Sequence, residues 1–165
     1  MAEKTDGIQR RRRSGDQLDA VDRKLLGLLS EDATRSYAQL AECVHLSAPA
    51  VHERVKRLRE RGVITATVAQ LDGAQIGRPL LAFVHVHTQG RGAKDAFRSL
   101  AHEPDVEEVH SVAGDACLIL KVRCASAHAL EALLERLYAL EGVVGTRSYI
   151  ALSTYLDRGP QAQLE

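Results

Sequence analysis

The stretch Ser36–Arg61, SYAQLAECVHLSAPAVHERVKRLRER, constrains this chain more than any other. Ser36 reads as a helix N-cap, and Gln39 completes a capping box, because each side chain satisfies a backbone N–H that the first turn leaves open. Leu40, Ala41 and Val44 supply the buried face of a short helix. After a brief break a second helix starts near Ser47 or Ala48, where Val51, Val55 and Leu58 recur at the four-then-three spacing of one helical stripe. Pro49, Glu53, Lys56, Arg57 and Glu60 fall opposite that stripe, with His52 and Arg54 on its flanks. Two short helices with a tight turn, the second amphipathic and basic, predict a helix-turn-helix that lays its second helix in the DNA major groove. A helical hairpin of a small bundle, with its arginines merely solvated, would carry the same pattern.

The flanking sequence extends this unit. Asp19 caps a helix running to Ser30, with Asp22 well placed in its first turn and Val21, Leu25, Leu28 and Leu29 as its stripe. Residues 17–62 therefore read as a three-helix DNA-binding domain, closed by Gly62 after a basic last turn. His45 stands in the turn, where a left-handed residue is often needed. Residues 1–16 are polar and contain Arg10–Arg13; they read as a disordered basic arm able to touch phosphates, or as a solvated tail.

Beyond Gly62 the pattern changes. Ile64, Ala66 and Val68 predict a strand over 63–70, and 63–79 reads as a hinge strand and linker with turn signals at Asp72-Gly73 and Gly77-Arg78-Pro79. Then come a strand Leu80–Thr88, a helix Ala93–His102 ending before Pro104, and strands Val106–Ala113 and Ala116–Cys124 joined at Gly114-Asp115. A helix Ser126–Leu140 and a strand Val143–Tyr155 follow. The order βαββαβ over residues 80–156 is the ferredoxin-like arrangement, so the expected class is α+β, with a tail at 157–165. Two helices cover one sheet face only. Leu118, Ile119, Leu120 and Val122 nevertheless put apolar groups on both faces of their strand, so a second copy of the sheet is the expected cover.

The 165 residues carry no net charge, but residues 1–78 hold 14 basic against 11 acidic groups and residues 79–165 hold 8 against 11. A basic first half and an acidic second half fit two domains with different partners. No apolar run reaches membrane-spanning length, and the basic start is not followed by an apolar core segment. Three cysteines, Cys43, Cys117 and Cys124, lie in no metal-like spacing, which fits a reducing cytoplasm rather than a disulfide framework.

These features together resemble the Lrp/AsnC (feast/famine) family of prokaryotic transcription regulators. The residues that carry the resemblance are Leu18-Asp19-Ala20-Val21-Asp22-Arg23-Lys24, Leu40-Ala41, Leu46-Ser47, Val51, Arg54-Val55, Arg57-Leu58 and Gly62-Val63-Ile64. In the second half they are Val112-Ala113-Gly114-Asp115, Lys121-Val122 and Gly142-Val143. The resemblance implies an N-terminal DNA-binding domain and a hinge strand that pairs with its counterpart in a dimer. It also implies a C-terminal regulation-of-amino-acid-metabolism (RAM) domain, assembly of homodimers commonly into octamers, and a small effector, usually an amino acid, bound between dimers near Gly114-Asp115. Two positions depart from the family: His45 stands where glycine is usual, and Cys117 stands where an aspartate is common.

For DNA contact the candidates are Ser47, Pro49, Ala50, His52, Glu53, Lys56 and Arg57, on the first turns or the outer face of the second helix. Arg54 is a candidate for DNA or for a carboxylate on the first helix. For the effector they are Val112, Ala113, Gly114, Asp115 and Cys117, with Thr146 and Ser148 from the last strand. There the glycine would allow close backbone approach and the turn amides would hold a carboxylate. Glycine followed by aspartate is also the usual content of a two-residue hairpin turn. His85 and His87, two apart on a strand, would with His110 or Cys117 make a metal set, or simply line an interface. Those histidines also keep open a tetrapyrrole decarboxylase of the same build, and the Cys117 departure keeps open an effector-free architectural DNA binder. No metal, cofactor or enzymatic activity is expected.

Overall fold

The computed structural model describes residues 17–89, 100 and 102–162. The arm at 1–16 and the expected helix Ala93–His102 lie outside them, except that Leu100 is helical and buried and His102 sits in a turn. The chain divides into two compact units: one running to Val68 and including the segment from Arg158, the other Ala69–Asp157. No helix among the described residues is long and apolar enough to cross a membrane.

The first unit holds α1 (Ala20–Glu31), α2 (Tyr37–Val44) and α3 (Ala48–Glu60). Each starts where its side-chain cap lies. Asp19 accepts the Asp22 amide at 2.7 Å. Ser36 and Gln39 form the reciprocal box, and Ser47 accepts the Ala50 amide. His45 ends α2 at φ 55°, left-handed as expected, and Gly62 follows α3 at φ 70° while the Val63 amide returns to the Leu58 carbonyl. Leu25, Leu40, Ala41, Val44, Val51 and Val55 form the core, with Ile64 packed against it.

Residues 63–70 are not a strand. No ladder closes on them among the described residues, and only Ile64 is drawn in, onto the helices. Alternation alone does not make a strand; the backbone groups need a partner, and the expected partner belongs to another chain. In the segment expected as a tail, the Ala162 carbonyl accepts from the Arg23 guanidinium on α1 at 3.2 Å.

The second unit is a four-stranded antiparallel sheet in the order β2-β3-β1-β4, the ferredoxin-like order. Its strands are β1 (Leu80–Thr88), β2 (Val106–Ser111), β3 (Leu118–Cys124) and β4 (Val143–Ile150). Helix α4 (Ala127–Tyr138), capped by Ser126, covers one face. Ala82, Val84, Val86, Leu118, Leu120, Val122 and Cys124 point into that core with Leu100, Leu130, Leu133 and Leu137. A bulge between Val106 and Glu108 shifts β2 by one residue, so that Val106 and Val109, three apart, both pack on the core.

The opposite face follows from register. Phe83 stands between Lys121 and Tyr149, and His85 between Ile119 and Arg147; His110 and Glu108 sit on the outer strand. Of the apolar residues read in β3, only Ile119 lies on this outer face.

Candidate functional site

Helix α3 buries Val51, Val55 and Leu58 and turns His52, Glu53, Lys56 and Arg57 outward. His52 rests edge-on against the Tyr37 ring at 5.0 Å between centroids and lies 3.5 Å from the Glu53 carboxylate. Lys56 leans toward Glu60 at 4.0 Å. At the helix start, Pro49 has no N–H, Ala50 is capped by Ser47, and Val51 bonds the Ser47 carbonyl. The Ala48 amide is the remaining donor of that turn.

Arg54 faces inward. Its Nη1 donates to Asp19 at 2.6 Å and to Asp22 at 2.8 Å, and these carboxylates, Asp19 first, raise the guanidinium above its ordinary value. Arg57, half-exposed, reaches back with Nη2, which lies 3.4 Å from both Asp22 oxygens. Asp22 itself is buried. The first-turn aspartate of α1 is therefore the hub joining α1 to α3. Its signal in the sequence is spacing: Asp22 lies three residues before Leu25 and seven before Leu29, on the core stripe.

The loop after β2 is longer than a two-residue hairpin. Ladder pairing ends at Ser111 and Leu118, the Val112 amide donates to the Cys117 carbonyl, and the Cys117 amide goes to Val86 on β1. Four residues, 113–116, make the connection. Gly114 does not have a positive φ, and a Cβ added there would meet nothing within 4 Å. The glycine is thus not required by the turn. No backbone hydrogen bond among the described residues closes on the amides of Ala113, Gly114 or Asp115. The Cys117 thiol lies 3.6 Å from the Thr88 carbonyl.

The residues expected around this loop split between two faces. Thr146 and Ser148 pair with Val86 and Val84 on the helix-covered side, and the Thr146 hydroxyl bonds the Tyr138 phenol at 3.1 Å. Arg147, between them, points to the other face. The Tyr149 phenol first, then the Asp115 charge, raise its guanidinium above the ordinary value. Arg147 is not among the residues the sequence suggests for this loop; strand alternation, which sets it opposite to Thr146 and Ser148, is the signal that finds it. The His85 ring packs at a tilt against Tyr149, 4.9 Å between centroids, and His110 lies 2.8 Å from Glu108. Among the described residues no group of three or more His, Cys, Asp or Glu side chains is placed to hold a metal.

Comparison with known proteins places both units. Residues 18–59 match the AsnC-type helix-turn-helix domain and residues 81–161 the Lrp/AsnC ligand binding domain. The HTH-type transcriptional regulator LrpA of Mycobacterium tuberculosis is 41% identical over 86% of this chain and 95% of its own length. The chain belongs to the Lrp/AsnC family. The leucine-responsive regulatory protein of Escherichia coli is 35% identical over 88% of this chain and 91% of that protein. Among solved structures, the feast or famine regulatory protein from M. tuberculosis complexed with L-methionine superposes with a TM-score of 0.80 at 39% identity, covering 86% of this chain and 96% of that one. Like these Lrp/AsnC relatives, the chain is a DNA-binding transcriptional regulator with an α+β ligand-binding half.

Proposed function

We propose that this regulator works as a homodimer, itself able to assemble further toward an octamer. Each recognition helix reads one half-site of a two-fold operator, and an amino acid at the 112–117 loop modulates operator affinity. The observation that supports the DNA reading is the outward row His52, Glu53, Lys56 and Arg57 on a helix whose other face is buried. Lys56 and Arg57 supply phosphate or guanine contacts, His52 and Glu53 meet base edges, and Ser47, Pro49 and Ala50 bring the helix start to the backbone. Arg54, held by two carboxylates, is assigned to the fold rather than to DNA.

The effector reading rests on complementary charge. A zwitterionic amino acid needs donors for its carboxylate and an acceptor for its ammonium. The amides of residues 113–115 and Arg147 supply the first, and Asp115 the second. A relative of this chain is known in complex with L-methionine, which makes methionine the first ligand to try. Thr146 and Ser148, turned to the helix side, are given a secondary part, and Cys117 shapes the loop floor.

Calorimetry of the full chain against the amino acids, with and without a DNA duplex that it selects from a random pool, tests both halves. Lys56→Ala with Arg57→Ala should weaken DNA binding at least about tenfold. Gly114→Val, which leaves the chain's own packing untouched, and Asp115→Ala should both abolish the ligand response. DNA binding unchanged in the first pair removes the helix assignment; an undiminished ligand response in both loop variants removes the loop.

A further inference from the structure

Asp22 is the one charged side chain buried among the described residues, 2% exposed, and capping of α1 does not account for it, since Asp19 is the cap. A buried carboxylate is retained only with compensating partners, and both partners here come from the recognition helix. Arg54 is committed, its Nη1 shared between Asp19 and Asp22. Arg57 is different: 51% exposed, it gives only Nη2 to Asp22, at 3.4 Å from each oxygen, and no other partner holds its remaining N–H groups among the described residues.

We infer that Asp22 is a positioning residue for DNA recognition: it holds one end of the Arg57 guanidinium so that the opposite end meets one chosen base or phosphate. The inference rests on the reading that Arg57 contacts DNA. An untethered arginine has many rotamers, and ordering it on binding opposes affinity; a guanidinium held in advance loses less. The carboxylate acts in a second way. It offsets one positive charge on the recognition face, which lowers the attraction to any phosphate whatever the sequence. The first effect favours the correct site over random DNA, while the second keeps sequence-independent binding low on both. A purely structural carboxylate would support binding to both alike.

The test uses the full chain, the duplex it selects from a random pool, and a scrambled duplex of equal length. Asp22→Asn keeps the shape and removes the charge. Affinity for the selected duplex is expected to fall about tenfold, while affinity for the scrambled duplex holds or rises and its salt slope steepens by about one. In an Arg57→Ala background the same change should alter the ratio of the two affinities less than about twofold, because its target is gone. Equal losses on both duplexes, or the same loss of ratio with and without Arg57, overturn the inference. Wild-type binding by Arg57→Ala would instead remove the Arg57 contact itself, a separate failure. Should Asp22→Asn melt too low to assay, Arg57→Lys serves. It keeps the charge, but a compact ammonium cannot rest on Asp22 while extending a planar fork to DNA. The ratio should fall at constant scrambled affinity, and an unchanged ratio overturns the inference.

Discussion

Removing Arg54 would leave Asp22 a buried charge without its nearest partner. Arg54→Ala should therefore cost about 3 kcal/mol of stability, the scale for breaking a buried ion pair from one side. Arg57→Ala, whose side chain is half in water and whose contacts are long, should cost less than about 1 kcal/mol. Thermal melts of the two variants should differ plainly, and equal melting points would deny Arg54 its cross-linking part. The same cluster sets a pH dependence. The Asp22 amide first, and then Arg54, hold the Asp19 carboxyl below its ordinary value of 3.8. The unfolded chain thus binds this proton more readily, so the stabilisation is complete above that value and is lost as pH falls through the lower folded-state value. Melting should drop below pH 4 or so in the wild type and more shallowly in Asp19→Asn; parallel curves would contradict this. The sequence disclosed Asp19 as a cap, which follows from local spacing, but left Arg54 open between DNA and a carboxylate on α1, because its partners lie more than thirty residues away. The burial of Asp22 shows in the sequence only as its place on the Leu25–Leu29 stripe, a weak signal beside the favourable first-turn position that an aspartate takes equally well facing water.

Between helices, a single backbone angle decides how tightly α2 turns into α3. His45 holds φ 55°, and its amide reaches back to the Ala41 carbonyl. Glycine takes this conformation without the Cβ clash, so His45→Gly should stabilise by about 0.5–1 kcal/mol, less the entropy glycine loses on folding. A lower melting point would mean that the imidazole contributes a contact of its own. Helix starts were legible residue by residue: Asp19, Ser36, Ser47 and Ser126 all cap as their side chains allow. Strand ends were legible for β1, expected and found at Leu80–Thr88, but not at the end of β2, the start of β3 or the end of β4. The alternation of β4 continues to Tyr155, yet the strand stops at Ile150 because β1, its neighbour, supplies its last bond at Leu81 to the Ala151 amide. The same holds for β2 and β3, expected to meet across a two-residue turn: past Ser111 and Leu118 one bond remains, from the Val112 amide to the Cys117 carbonyl, and the chain then leaves the ladder. A strand ends where its neighbour does, and that is a property of two segments rather than one.

At the scale of the molecule, the outer sheet face is what remains unaccounted for within one chain. A sheet with one face in water usually carries polar residues there. Here Phe83, Ile119 and Tyr149 lie across that face beside Lys121, Arg147, Glu108 and the three histidines His85, His87 and His110. In the same unit Ile150, Leu152, Tyr155 and Leu156 are exposed as well. Alternation in the sequence revealed that both faces of β3 carry apolar groups, but only the register shows that the outer set is narrow and rimmed by charge. Such a patch fits a second copy of the sheet better than open water. The full chain is accordingly expected to sediment as a dimer or larger species at micromolar concentration. Phe83→Glu places a carboxylate in the middle of the patch and should shift the protein toward monomer. It should also reduce affinity for a two-fold operator at least about tenfold, because each half-site would then be bound without the gain in effective concentration that the dimer provides. Affinity for an isolated half-site should stay unchanged, since α3 lies in the other compact unit. A Phe83→Glu protein that remains dimeric with full operator affinity would move the dimer contact off this face, and a wild-type monomer at that concentration would remove the two-fold reading altogether.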